Sequence, residues 1–273
     1  MPDLWHFNSI LLNGGKKGAW AVGQDDIIFN GFGLQNQNFV TSDVNFWNMP
    51  KINLLTYDNP KNDGWGVLDR FYKQRTITLS GSILGEDSTD IENKIDSLKK
   101  ALSIKTWYLD FKVNGVYRRI LCSLTNSDII SRAHYDVDKG KFKLTFTAMD
   151  PFWSEKTWAS KTFTSVNAEI NEDIYNAGSQ YSNPVINILV NSASSVTQIK
   201  VKIGDNEIVI NNAITTWDIV EINTISKEVT INGSSIDFGG KFPKLEAGVN
   251  NLNVKSNGTY NFDIAVLFSK NYL

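Results

Sequence analysis

The chain holds two histidines, His6 and His134, and one cysteine, Cys122. Zinc is bound by His, Cys or carboxylate ligands at short regular spacings. Neither histidine has a second His, a Cys or a clustered carboxylate so placed. A serine or cysteine triad would need the fold to carry one of these imidazoles to a nucleophile, and the Gly-x-Ser-x-Gly elbow is absent. Both histidines read as surface or capping residues. Gly14-Gly15-Lys16-Lys17-Gly18 has the residue types of a phosphate cradle but not its spacing, and no helical pattern follows to offer free N-terminal amides. A turn between strands fits it better. Asp136-x-Asp138-x-Gly140 opens like a calcium loop, yet Thr147 stands where the bidentate glutamate belongs. Glu169, Glu172 and Asp173 form a small acidic cluster that could in principle supply the paired carboxylates of a glycosidase, but scattered acids on an exposed loop are far commoner. Asn232-Gly233-Ser234 and Asn257-Gly258-Thr259 match the glycosylation sequon and read as hairpin turns. Cys122 lies in a strand pattern, as a small core residue would. No catalytic, cofactor-binding or metal-ligating residue is assigned. The reading is a structural or binding protein rather than an enzyme.

Composition sets the same limits. A chain of 273 residues buries a substantial core and is long enough for two domains. Hydrophobic residues make up 41%, the level of a globular protein. With 27 basic and 29 acidic residues the net charge is -2, which argues against a general nucleic-acid binder. A single cysteine excludes an intrachain disulfide, so packing must hold the fold. The N-terminal residues lack the basic and apolar regions of a signal peptide, and no apolar run approaches the roughly 20 residues of a membrane span. The expected product is made in a cytoplasm and can leave it within a particle. Eight Trp, nine Tyr and fifteen Phe serve sheet cores and subunit interfaces alike.

The elements that would position these residues are mostly strands. Asn13-Gly14-Gly15 and Asn30-Gly31 are tight-turn signals, with Trp20, Val22, Ile27 and Phe29 as strand residues nearby. Asn45 to Asp69 has little periodicity and reads as a long loop suited to contact with a partner. Arg75 to Leu84 alternates, with Ile77, Leu79 and Ile83 on one face. One helix follows. Thr89-x-x-Glu92 matches a capping box, and Ile91, Ile95, Leu98 and Leu102 form one stripe, ending near Leu102 or Ser103. Trp107 to Val113 places Trp107, Leu109, Phe111 and Val113 inward. Asn114-Gly115 turns the chain into a return strand from Val116 to Leu124. Lys141 to Met149 alternates again, with Phe142, Leu144, Phe146 and Ala148 inward. Pro151 should then interrupt the pairing, and Phe152 and Trp153 place apolar bulk at a junction between halves. Beyond it, strands read at Val185–Val190, Thr197–Ile203, Glu207–Ile210, Trp217–Ile222, Glu228–Ile231 and Thr259–Phe268. Gly204-Asp205-Asn206, Asn232-Gly233, Gly239-Gly240 and Asn257-Gly258 supply turns between them. The expected architecture is mainly β. Residues 1–150 form an α+β or barrel-like domain with one helix, and residues 151–273 a β-sandwich or jelly roll.

Several segments, in order, resemble the distal tail proteins of long-tailed bacteriophages, the siphovirus-type tail component. They are Arg75-Thr76-Ile77-Thr78-Leu79-Ser80-Gly81-Ser82-Ile83 with the helix end Leu98-Lys99-Lys100-Ala101-Leu102; Asp150-Pro151-Phe152-Trp153; and Asn176-Ala177-Gly178 with Asn183-Pro184-Val185-Ile186. Further on come Trp217-Asp218, Val229-Thr230-Ile231-Asn232-Gly233, and the run Phe242 to Asn250. The resemblance implies a virion protein of the tail tip or baseplate whose N-terminal domain forms a homohexameric ring. That ring would join the tail tube protein to a tail-associated tip or lysin protein. The C-terminal domain would be a galectin-like β-sandwich pointing outward, which in some relatives docks receptor-binding proteins. The resemblance implies no cofactor and no catalysis; the charge balance and the lack of a long apolar run lead to the expectation of no nucleic-acid sequence recognition and no membrane span. Two other readings stand beside it. One is a stand-alone carbohydrate- or cell-surface-binding sandwich that stacks sugar on Trp153, Trp158 or Trp217, residues whose places at strand starts suit the core better. The other is a hydrolase built on the acidic trio.

Overall fold

The computed structural model describes residues 27–46, 48–58, 65–130 and 139–273. His6, His134, the turn and glycine–lysine segment at residues 13–18, Trp20, Val22, Asp136 and Asp138 lie outside the described residues.

The first part of the chain forms β1 (Ile27–Phe29), β2 (Phe32–Gly33), β3 (Phe39–Val44), β4 (Ile52–Asp58), β5 (Trp65–Tyr72) and β6 (Arg75–Leu84). It continues through α1 (Ser88–Leu102), β7 (Trp107–Val113), β8 (Val116–Ile130), β9 (Lys139–Ala148) and β10 (Trp153–Glu155). The rest gives β11 (Ala159–Val166), β12 (Ile170–Asn176), β13 (Val185–Ser194), β14 (Ile199–Ile203), β15 (Asn206–Ile210) and β16 (Ile219–Asn223). It closes with β17 (Glu228–Ile231), β18 (Ser234–Ser235), β19 (Gly239–Gly240), β20 (Gly248–Ser256), β21 (Thr259–Phe268) and β22 (Asn271–Tyr272). The protein is mainly β, with one helix among the described residues.

Strict alternation builds the first core. Ile77 pairs with Phe146 and Leu79 with Leu144 in the β6–β9 ladder, and all four are buried. The turn residues Asn30-Gly31 and Asn114-Gly115 adopt the positive φ that two-residue hairpins need. A nine-stranded sheet results, in the order β2-β1-β7-β8-β9-β6-β3, with β10 added to β8 and β22 to β10. α1 lays Ile91, Ile95, Leu98 and Leu102 into the same core. Among the described residues the path ends at β2 and β3, which do not pair, so the sheet is not a closed barrel and the barrel-like expectation is corrected. The helix cap also differs from the capping box expected at Thr89. Asp87 is the N-cap; its carboxylate accepts from the Asp90 amide at 2.8 Å, and Asp90 accepts from the Glu86 amide at 2.9 Å. Asp87 still has extended backbone, whereas Thr89 is already inside the first turn. Trp107 departs from its expected inward place and is 44% exposed; Leu109 and Phe111 carry the burial of β7.

The largest correction concerns residues 45–69. Where they are described they are mostly strand rather than a long loop. β4 and β5 pair antiparallel from Ile52↔Tyr72 to Asp58↔Trp65 as a separate two-stranded sheet. Their apolar residues point to both faces, so neither periodicity appears in the sequence.

In the second part a six-stranded sheet (β11-β21-β13-β16-β17-β18) faces a five-stranded one (β12-β20-β14-β15-β19). Ile186, Ile188, Phe262 and Ile264 from the first meet Val201, Ile208, Leu252 and Val254 from the second in one core. This is the expected sandwich. Asn232-Gly233 and Gly204 take the left-handed backbone of their turns. Gly239-Gly240 is not a turn but β19, paired with β15. A Cβ on Gly240 would collide with the Glu207 carbonyl, so the strand approaches only because the residue is glycine.

Candidate assembly interface

The β4–β5 hairpin is an arm. It carries Ile52, Leu54, Leu55, Tyr57, Trp65, Val67, Leu68 and Phe71, each between 44% and 73% exposed. Ile52 and Leu54 share one face, and Leu55 lies on the other. A lone two-stranded hairpin is marginal in water, and an exposed apolar one is a site for association. The arm is fastened at its root. The Lys73 amide donates to the Lys51 carbonyl at 2.7 Å. Tyr72 meets Phe152 edge-on at 5.6 Å, and Phe46 packs on Trp153 at 5.4 Å. Phe152 in turn meets Tyr181 at 5.8 Å.

The junction behind the arm is a mixed aromatic and charged lattice. Pairing stops after Ala148 and resumes at Trp153, which is 2% exposed inside the first core, against Phe111 at 4.8 Å. β10 pairs with β22 through Trp153↔Tyr272 and Ser154↔Asn271. The Tyr272 hydroxyl donates to Glu155 at 2.5 Å, and the Arg118 guanidinium lies 3.6 Å over the Tyr272 ring. Burial, then the hydrogen bond and charge of Glu155, push the Tyr272 hydroxyl up to about 12. Beside it, the buried Asp110 is held by Arg119 at 3.2 Å and Lys156 at 3.1 Å. Asn271 bridges to the sandwich: its carbonyl accepts from Gln180, and its side chain donates to the Tyr181 carbonyl at 2.8 Å.

The chemistry-bearing residues that are described do not converge. Glu172 and Asp173 lie on β12 rather than on a loop, and as neighbours on a strand they face opposite ways. Glu169 accepts from Asn253 at 2.7 Å, and Asp173 from Asn251 at 3.4 Å. Cys122 is a buried core residue, and burial pushes its thiol up to about 12. Of the three tryptophans expected in the core, Trp153 is there, but Trp158 and Trp217 are 46% and 71% exposed. Trp217 sits at φ 74°, in the left-handed region. Among the described residues no three His, Cys, Asp or Glu form a metal-binding group, and no helix is long and apolar enough to cross a membrane. Sequence reasoning missed the arm. Its only signal was apolar density, Leu54-Leu55 and Val67-Leu68, without period.

Residues 177–272 match the siphovirus-type tail component, C-terminal domain. The solved structure of SPP1 Dit (gp 19.1), titled a paradigm of hub adsorption apparatus in Gram-positive infecting phages, shares the fold. Its TM-score is 0.72 over 91% of this chain and 99% of that one, at 15% identity. The fold is like that of Dit. Chains of the phage P2 baseplate in its activated conformation align with TM-scores of 0.41 with calcium and 0.42 with strontium. They are 11% and 12% identical, over 82% of this chain and 90% and 89% of theirs. No curated protein is similar in sequence. The structural match spans 91% of this chain, whereas the sequence match is confined to residues 177–272.

Proposed function

We propose that this protein is a structural component of a long-tailed phage tail tip or baseplate, a hub between the tail tube and the adsorption apparatus. The observation that carries this reading is an apolar arm on a Dit-like fold whose residues 177–272 match a tail-component domain. Residues 1–150 form the ring-building domain and residues 151–273 the outward sandwich. Copies assemble head to tail, the arm of one lying on the next, and a rotation that closes gives a homohexamer. The tail tube protein meets one side of the ring and the tip or lysin protein the other, while receptor-binding proteins dock on the sandwich. The protein resides in the virion after synthesis in the host cytoplasm, and it works without catalysis or cofactor.

Light scattering and negative-stain microscopy of the purified protein test the reading against a Leu54→Ser, Leu68→Ser double variant. Rings for the wild type and folded monomers for the variant are expected. Rings formed equally well by the variant would sink the role of the arm. A second reading rests on Trp217, whose exposed ring is the kind of surface on which sugars stack. A glycan screen with wild type and Trp217→Ala separates a stand-alone surface-binding protein from the hub.

A further inference from the structure

Arg75 opens β6 and follows directly on the arm. Its side chain points inward on the same face as Ile77 and Leu79 and is 3% exposed. Its Nε, Nη1 and Nη2 all lack a hydrogen-bond partner. The Trp153 ring lies 5.7 Å from the guanidinium carbon, and its own Nε1 is buried without a partner. The three guanidinium nitrogens and the indole nitrogen are donors only, so the neighbourhood holds donors and no acceptor for them among the described residues. Burial lowers Arg75 to about 10, and it therefore keeps its charge at neutral pH. The face of an indole compensates a buried cation only in part, and a buried water would satisfy N–H groups without offsetting the charge.

We propose that Arg75 and Trp153 form a receptor for a carboxylate. The chemistry selects it: a planar fork matches two carboxylate oxygens, and one further N–H suits a remaining lone pair. The carboxylate comes either from solution or from an acidic side chain of a neighbouring subunit. The second source rests on the hub reading. It is favoured by position, because Phe46 and Arg75, on either side of the arm, both lie against Trp153. Filling the receptor and docking the arm thereby act on the same indole.

Thermal unfolding of the full chain in sodium acetate and in sodium chloride, at equal ionic strength and neutral pH, tests the proposal. Arg75→Met and Arg75→Lys run beside the wild type, and light scattering follows self-association. With a free carboxylate as ligand, acetate raises the wild-type Tm by on the order of 2–4 °C, and neither variant responds. With a neighbour's carboxylate, acetate has no effect, and both variants lose self-association while their monomers remain folded. Arg75→Lys keeps the charge without the fork and supplies the readout if Arg75→Met does not fold. The proposal is overturned if acetate has no effect and self-association is unchanged. A rise in Tm for Arg75→Met would then identify Arg75 as a cation buried without a partner, which an apolar side chain replaces at a gain.

Discussion

Trp153 and Tyr272 are partners in an antiparallel ladder, although one follows the last long strand of the first sheet and the other follows the last strand of the sandwich. The chain thus leaves the first core through β10 and returns to it through β22. Ser269, Lys270 and Tyr272 all contact Glu155, and Asn271 holds the Gln180–Tyr181 backbone. The sandwich is tied to the first sheet at both of its chain ends rather than hung on one linker.

Removing this return strap should loosen the two cores from each other. Tyr272→Ala deletes a half-buried ring and its bond to Glu155, a loss of about 1–3 kcal/mol. Calorimetry should show unfolding of the first core moving to lower temperature while the sandwich is little changed. A single transition shifted as a whole would mean that the cores do not unfold separately.

The division at residue 150 has its own test. Leu79 and Ile188 are 0% exposed in different cores. Leu79→Ala and Ile188→Ala should each cost about 2–5 kcal/mol. If the halves are domains, each substitution lowers a different calorimetric transition, and amide exchange rises only in the half that carries it.

The pH profile follows from groups at both extremes. Asp90 is held below 3.8 by its hydrogen bond to Lys94, with the Glu86 amide helping. At Asp218 burial raises the carboxyl, but bonds from Thr215 and Asn232 outweigh it and bring it below 3.8. Carboxyls depressed in the folded state contribute stability above their unfolded pKa and lose it as pH falls through the folded one. Stability should therefore drop below about pH 4, and Asp218→Asn should flatten that acid limb in urea titrations. Cys122 and Tyr272 are raised instead, from 9.0 and 10.0 to about 12 each. Their contribution is complete below the unfolded values and disappears as pH rises through the folded ones. Alkaline loss should begin near pH 9 in the wild type and near pH 10 in Cys122→Ala, and the native thiol should resist disulfide reagents at pH 8.

How legible each element was depended on whether one face is buried. β6, α1 and β9 bury one face each, so Ile77, Leu98 and Phe146 recur at the period of their element. The positive-φ turns at Asn30-Gly31 and Asn114-Gly115 follow from local sterics and needed no tertiary context. The arm has no buried face within one chain, so Leu54-Leu55 and Val67-Leu68 break any alternation. β12 and β20 were missed for a related reason: Asn171, Asp173, Asn251 and Asn253 crowd them with polar residues, and Asn253 bonds Asn171 and Asn251 bonds Asp173 across the ladder. Arg75 reads as an ordinary strand-opening residue, because no local pattern reveals that a guanidinium will be enclosed without an acceptor.

Trp217 offers the last test. Its backbone is left-handed at φ 74°, a conformation that costs a non-glycine residue about 1–2 kcal/mol, and its ring is 71% exposed. The turn is secured without the ring: the Trp217 amide donates to Val190 at 2.6 Å, and Asp218 accepts from the Thr215 amide at 2.7 Å. A strained residue whose ring is mostly outside the core is best explained by a contact beyond the chain. Trp217→Asn keeps a residue that tolerates this backbone and should raise stability by about 0.5–1 kcal/mol in urea unfolding. If the ring meets a receptor-binding partner or a surface glycan, the same variant assembles normally and its particles adsorb poorly. Normal adsorption together with the stability gain would leave Trp217 with no role outside the fold.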